Sequence, residues 1–235
     1  MLMGRNLLYL LFLFSFFAQS QVEQHTYLSE AIGKNIKNYT KNSEKAYYDQ
    51  DFKRADFLFD SLIKHVVTGS YLDNFKVRKL SGRKTQLQKF EKPMFLMTYA
   101  SWCTPGSGEI PALNEIAEEN KNTIDFVILF WDSKENVRKV AKAYSKNINI
   151  IYIDEKENTN NHIIEVMKHS LGFPTSFFMD KNKRIVDVRR GTLHPYNENY
   201  EISYQLNFNS FLNGITLLKN FNIEDNQQLV VKENP

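Results

Sequence analysis

Met94-Phe95-Leu96-Met97-Thr98-Tyr99-Ala100-Ser101-Trp102-Cys103-Thr104-Pro105-Gly106 sets a nearly unbroken apolar run against a loop that holds the single cysteine of the 235-residue chain. A run such as Met94 to Tyr99, apolar at almost every position, predicts a central strand covered on both faces. Apolar spacing from Ile110 to Glu119, with Pro111 near its start, predicts a helix after the loop. A cysteine leaving a strand at the start of a helix faces unpaired backbone N–H groups and the positive end of the helix dipole, and both favour thiolate over thiol. Cys103 is therefore expected to be a nucleophile with a pKa well below the roughly 8.5 of a free cysteine. A value at or above that figure favours a binding role instead.

Outward from this stretch, short apolar runs alternate with helical patterns. Phe75 to Leu80 alternates with period two, Ser81-Gly82 is a turn, and Thr85 to Leu87 reads as the return strand. Phe126 to Trp131 and Ile148 to Ile153 read as strands, Lys134 to Ser145 and Asn161 to Ser170 as helices. Ser176 to Met179 and Arg184 to Val188 form a strand pair across the polar turn Asp180-Lys181-Asn182-Lys183, and a helix from Asn207 to Leu218 closes the pattern. Strands that alternate with helices and then end in a hairpin and a helix imply an α/β/α sandwich with a mixed central sheet. The core domain is expected over 71–219, with a polar tail over 220–235.

Before the domain lies a segment of another character. Tyr47, Phe52, Ala55, Leu58, Phe59, Leu62, Ile63 and Val66 recur at helical spacing from a Ser43 cap to a Thr68-Gly69 stop. This N-terminal extension, 21–70, either packs on the domain by itself or pairs with the weaker 27–39 segment as a helical hairpin. The first residues read as a signal peptide over 1–20: Arg5, an apolar run from Leu7 to Phe17 broken by Ser15, then Ala18-Gln19-Ser20. The run is shorter than the roughly 20 residues that span a bilayer. The mature protein is accordingly expected to be exported, periplasmic or secreted, with no membrane span after cleavage.

Thirty basic against 27 acidic side chains leave a formal charge of +3. So small and interspersed an excess gives no nucleic-acid-binding face. One cysteine forbids an intramolecular disulfide and a cysteine-based metal cluster. His162 and His169 share a helix face but stand about 10 Å apart along its axis, too far for one ion. No metal and no cofactor is expected.

Trp102-Cys103-Thr104-Pro105, Glu109-Ile110-Pro111-Ala112-Leu113, Gly172-Phe173-Pro174-Thr175 and Phe177-Phe178-Met179-Asp180 together resemble the thioredoxin superfamily, in particular its exported TlpA/ResA-like branch. The resemblance covers about residues 71–191. It implies a thioredoxin-like fold, thiol–disulfide chemistry, and Cys103 as catalytic nucleophile, with Trp102 and Pro105 shaping its loop. It also implies that Pro111 kinks the first long helix, and that Phe173-Pro174 is a cis peptide beside the sulfur where an extended substrate pairs. The implied partner is a thiol- or disulfide-containing protein or a low-molecular-weight thiol. Two positions depart from the family pattern: Gly106 stands where a second cysteine is usual, and Met97 where many thioredoxins bury an acid.

A thiolate can attack a disulfide without a second cysteine, but it cannot release the product by closing an internal bridge. Three readings stay open: single-cysteine exchange completed by an external thiol, a redox-inactive module that binds extended peptides, and a peroxide scavenger cycling through sulfenic acid. Glu109 is a candidate for proton transfer near Cys103, although an acid in a first helical turn also simply favours the dipole. Trp131-Asp132, at the end of a strand, is expected on the face that carries Cys103, or else as a packed indole and a helix cap.

Overall fold

The computed structural model describes residues 25–154, 156, 171–191 and 197–233, of which 225–233 are described as backbone only. The expected signal peptide and the helix Asn161 to Ser170 with both its histidines lie outside the described residues.

Seven strands form one mixed sheet. They are β1 (Lys76–Lys79), β2 (Lys84–Gln86), β3 (Met94–Tyr99), β4 (Asp125–Trp131), β5 (Ile148–Ile153), β6 (Thr175–Met179) and β7 (Ile185–Arg190), in the order β2-β1-β5-β4-β3-β6-β7. The central β3, β4 and β5 run parallel, and the flanking pairs are antiparallel. The alternation along each central strand explains the two-sided core. Met94 and Leu96 of β3, with Val127 and Leu129 of β4, face one layer. Phe95, Met97 and Tyr99, with Phe126, Ile128 and Phe130, face the other. A strand buried on both faces needs an apolar residue at every position, which is why the run from Met94 reads without interruption.

The second layer is built by α3 (Glu109–Asn120) and α5 (Tyr200–Glu233). Backbone approach decides their packing: a Cβ on Gly108 would fall 2.1 Å from the Tyr204 backbone nitrogen, and the Gly108 N–H donates to Ser203 Oγ at 3.0 Å. The closing helix is longer than the expected Asn207 to Leu218 at both ends. Its first buried positions, Ser203 and Asn207, are polar, so no apolar period announces them. The helix expected over Lys134 to Ser145 is α4 (Lys134–Val140), tightened into a 3₁₀ turn over Ala141–Ala143. Pro111 does not kink a long helix. It occupies the first turn of α3, where its missing N–H has no intrahelical partner to lose.

The first layer is covered by the N-terminal extension, which is a helical hairpin of α1 (Leu28–Tyr48) and α2 (Phe52–Leu62) running into a π-helical turn over Ile63–Val67. Ser43 is not a cap; it lies buried inside α1. The break falls at Asp49 to Asp51, where Gln50 takes φ +56 and the Asp51 side chain accepts from the Arg54 N–H at 2.9 Å, capping α2. Leu28 and Ile32 of α1 join Phe59, Leu62 and Val67 in the core under the sheet. Asp73 accepts from the Ser29 N–H and hydroxyl, so the first turn of α1 is held by the domain.

Candidate functional site

Beyond Tyr99 the chain turns at once, with the Cys103 N–H donating to the Ala100 carbonyl at 3.0 Å. Trp102 projects into solvent at 72% exposure, while Cys103 is half-buried against the α3–α5 layer. The turn is braced from β4: the Ser101 hydroxyl donates to the Asp132 carboxylate, which also accepts from the Ser133 N–H and from Asn136. Burial opposes the Asp132 charge, but these donors outweigh it and hold the carboxyl below its ordinary range. Asp132 thus reaches the cysteine loop from the end of a neighbouring parallel strand, where sites in such sheets gather. Trp131 instead points into the core.

The helix does not start at the cysteine. α3 begins at Glu109 after the Gly108 cap, so the loop of residues 104–108 separates Cys103 from the helix dipole. The expectation of a depressed thiol pKa is overturned with it. Burial pushes the Cys103 thiol above its ordinary value, a hydrogen bond from the Ala100 backbone to the sulfur opposes this, and the Glu109 charge adds to the rise.

Glu109 itself is only 5% exposed and is hydrogen-bonded by the Tyr99 hydroxyl. Burial, followed by the negative charge of Glu109, raises the pKa of both Tyr99 and Tyr144. A carboxylate, two phenols and a thiol therefore share one half-dry corner at the end of β3. Tyr99 and Tyr144 escaped the sequence reading because each falls inside an element pattern, at the end of a strand and beyond a short helix.

The opposite wall is the loop before β6. The peptide bond between Phe173 and Pro174 is cis. The Gly191 N–H donates to the Pro174 carbonyl at 2.7 Å, and a Cβ on Gly191 would meet Pro174 Cγ at 2.0 Å, so only glycine lets β7 close on this loop. Pairing of Thr98 with Thr175 across β3 and β6 places the cysteine turn and the proline loop at one end of the sheet. The Trp102 and Phe173 rings meet edge to face with centroids 6.4 Å apart. The structure thus brings Trp102, Cys103, Phe173 and Pro174 together; Pro105 lies half-buried in the loop beyond Cys103. Among the described residues, no group of three His, Cys, Asp or Glu is placed to hold a metal ion, and no helix is long and apolar enough to cross a membrane.

A mixed sheet with parallel centre, a cysteine in the turn after β3 and a cis-proline loop beside it define a thioredoxin-like protein. The pattern of the AhpC/TSA family matches residues 68–188, just over half of the chain, and the chain belongs to that family. It is 27% identical over 129 residues to the thioredoxin-like protein YneN of Bacillus subtilis (strain 168), covering 53% of this chain and 72% of that one. It is 27% identical over 132 residues to the thiol-disulfide oxidoreductase ResA of Geobacillus thermodenitrificans (strain NG80-2), covering 54% of this chain and 72% of that one. A thiol:disulfide interchange protein of Bacteroides sp. overlays with a TM-score of 0.43 at 18% identity, over 59% of this chain and 87% of that one.

Proposed function

We propose that the protein carries out thiol–disulfide exchange in the cell envelope through Cys103 alone. The supporting observation is a half-exposed, solitary thiol in the turn after β3, next to the ring pair of Trp102 and Phe173. The Cys103 thiolate attacks one sulfur of a substrate disulfide; a new S–S bond forms, the old one breaks, and the other substrate sulfur leaves as thiolate. An external low-molecular-weight thiol then attacks the mixed disulfide as its thiolate, carries away the bound half, and returns Cys103 to thiolate. The electrons of the external thiol thus end on the released substrate thiol, and the protein returns to its starting state.

Within this scheme Glu109 takes the Cys103 proton, directly or through Tyr99, while burial, and after it the Glu109 charge, keeps the resting sulfur protonated. A thiol of raised pKa is scarce as thiolate at neutral pH, but each thiolate is the stronger nucleophile. Phe173 and Pro174 hold an extended substrate segment, and Trp102 and Pro105 shape the loop around the sulfur. Similarity to a chain named as a thiol-disulfide oxidoreductase, and to one named only as thioredoxin-like, supports the reaction class. Catalysed exchange between a peptide disulfide and a small thiol, abolished by Cys103→Ser, is the expected result. Equal rates with and without the protein contradict the proposal.

The raised thiol also favours a second reading, in which the same surface binds extended peptides without turnover. Under that reading Cys103→Ser leaves peptide affinity unchanged and no exchange is catalysed by either form.

A further inference from the structure

Beside the proline loop opens a cavity of about 1140 Å³, far larger than one side chain needs. One wall is the loop itself, through Phe173 and Pro174, and the end of β7; the other is the helical hairpin, through Tyr39, Tyr47 and Phe59. The hairpin wall is fixed in place. The Arg190 guanidinium sits 4.0 Å from the centroid of the Phe59 ring and donates to the hydroxyls of Tyr39 and Tyr47, the latter at 3.0 Å. Phe173 both lines this cavity and meets the Trp102 ring, so the cavity adjoins the cysteine loop through that one residue and extends past the proline loop onto the hairpin.

Its charge is one-sided. Four carboxylates, Glu44, Asp56, Asp60 and Asp187, line the cavity against the two guanidiniums of Arg189 and Arg190. Arg189 is spent on Asp187 and on the Ser210 carbonyl, and Arg190 on the tyrosines. The side chains of Glu44, Asp56 and Asp60 are exposed and have no hydrogen bond or ion pair among the described residues. A mixed apolar and acidic cleft of this kind is complementary to a chain segment that lays its backbone along Phe173-Pro174 and extends lysine or arginine side chains over the hairpin.

We propose that the helical hairpin is the outer wall of the substrate groove, and that it selects extended polypeptides carrying Lys or Arg beside the reacting cysteine. This rests on the reading that substrates lie along the cis-proline loop. It gives the extension over 21–70 a role in substrate choice.

The test uses the full chain and two otherwise identical peptides, each with one cysteine activated as a mixed disulfide with 5-thio-2-nitrobenzoate, flanked by lysines in one and glutamates in the other. Release of the chromophore at low salt and alkaline pH reports attack by Cys103. The lysine peptide is expected to react about tenfold faster, with the preference largely lost at about 1 M salt, where screening acts within roughly 3 Å. In the E44Q/D56N/D60N variant the ratio between the two peptides falls to within about threefold, the loss being electrostatic. Equal rates for both peptides, or a ratio that survives in the triple variant, overturns the proposal. If neither peptide nor the free reagent labels Cys103, the exchange reading fails, and the groove is then judged by equilibrium binding of serine versions of the peptides through Trp102 fluorescence. Tighter binding of the lysine peptide supports the groove there, and equal binding overturns it.

Discussion

Trp102 and Phe173 stand edge to face across the gap between the cysteine turn and the cis-proline loop, with ring centroids 6.4 Å apart. Neither residue supports the other's element, since Trp102 is 72% exposed and closes no core. An exposed Trp102 ring anchored on a half-buried Phe173 beside a thiol is suited to gripping an extended substrate, because rings offer large contact area at low entropic cost.

Trp102→Ala is accordingly expected to leave folding stability within about 0.5 kcal/mol, as for surface positions generally. The same change slows reaction of Cys103 with peptide disulfides by about tenfold, the equivalent of about 1.4 kcal/mol of lost contact. Thermal melts and parallel rate measurements with a peptide and with a small disulfide check this. Equal slowing of both substrates contradicts a gripping role.

The pH dependence follows from the raised Cys103 pKa. Burial, then the Glu109 charge, disfavours the thiolate, so the rate of attack climbs with pH and continues to climb beyond the roughly 8.5 at which a free cysteine is half ionised. Glu109→Gln keeps a hydrogen-bond partner for Tyr99 but removes the negative charge, and shifts the alkylation profile of Cys103 to lower pH. For stability the sign is fixed. A folded-state pKa above the unfolded value favours the native state below the unfolded pKa, and that contribution disappears as pH rises through the folded pKa. Buried Tyr99 acts in the same direction. Denaturant midpoints should therefore fall in strongly alkaline solution, and fall less in Glu109→Gln.

Gly106 occupies the loop between the cysteine and α3, its carbonyl accepting from the Glu109 N–H at 3.0 Å. Gly106→Cys supplies the missing internal thiol, so a mixed disulfide on Cys103 should resolve without added thiol, and the variant should reduce insulin. An adduct that persists in the variant shows that the loop holds the two sulfurs apart.

Gly108→Ala tests the seam between α3 and α5. The new methyl group would enter the space of the Tyr204 backbone, 2.1 Å from its nitrogen, where backbone rather than a pliable side chain must yield. The cost is expected at about 1–3 kcal/mol, typical of overpacking. Chemical denaturation measures it, and an unchanged midpoint contradicts the packing described.

Arg190→Ala removes the clamp between β7 and the hairpin, including the hydrogen bond to Tyr47. Limited proteolysis near the break at Asp49 to Asp51 should accelerate, while Arg190→Lys, which keeps the charge but not the planar fork, gives an intermediate rate.

The inner strands β3, β4 and β6 were legible because they are buried on both faces, and a run such as Met94 to Tyr99 can mean little else; β1 was legible by alternation, and β5 spans Ile148–Ile153 as its sequence predicts. The resemblance also implies the cis bond that Phe173-Pro174 adopts. α1 was not legible as a long helix, since its stripe of Leu28, Ile32, Tyr39, Ser43 and Ala46 is diluted by Asn and Lys, and Ser43 has the look of a cap. Its burial is set by a sheet far along the chain. The start of α3 was hidden for a similar reason: Gly108 meets Ser203 and Tyr204, contacts that no local pattern reveals. With the helix start displaced from Cys103, burial of the thiol, and after it the charge of Glu109, raises the thiol pKa where the sequence predicts a lowered one.

The account is tested most directly by an intact-mass time course of the reduced, folded protein with a disulfide-bonded peptide at alkaline pH. One half-peptide should attach to each chain, at Cys103, remain until a low-molecular-weight thiol is added, and then leave with return of the starting mass. A chain that stays unmodified while folded, or an adduct that departs without any added thiol, contradicts single-cysteine exchange.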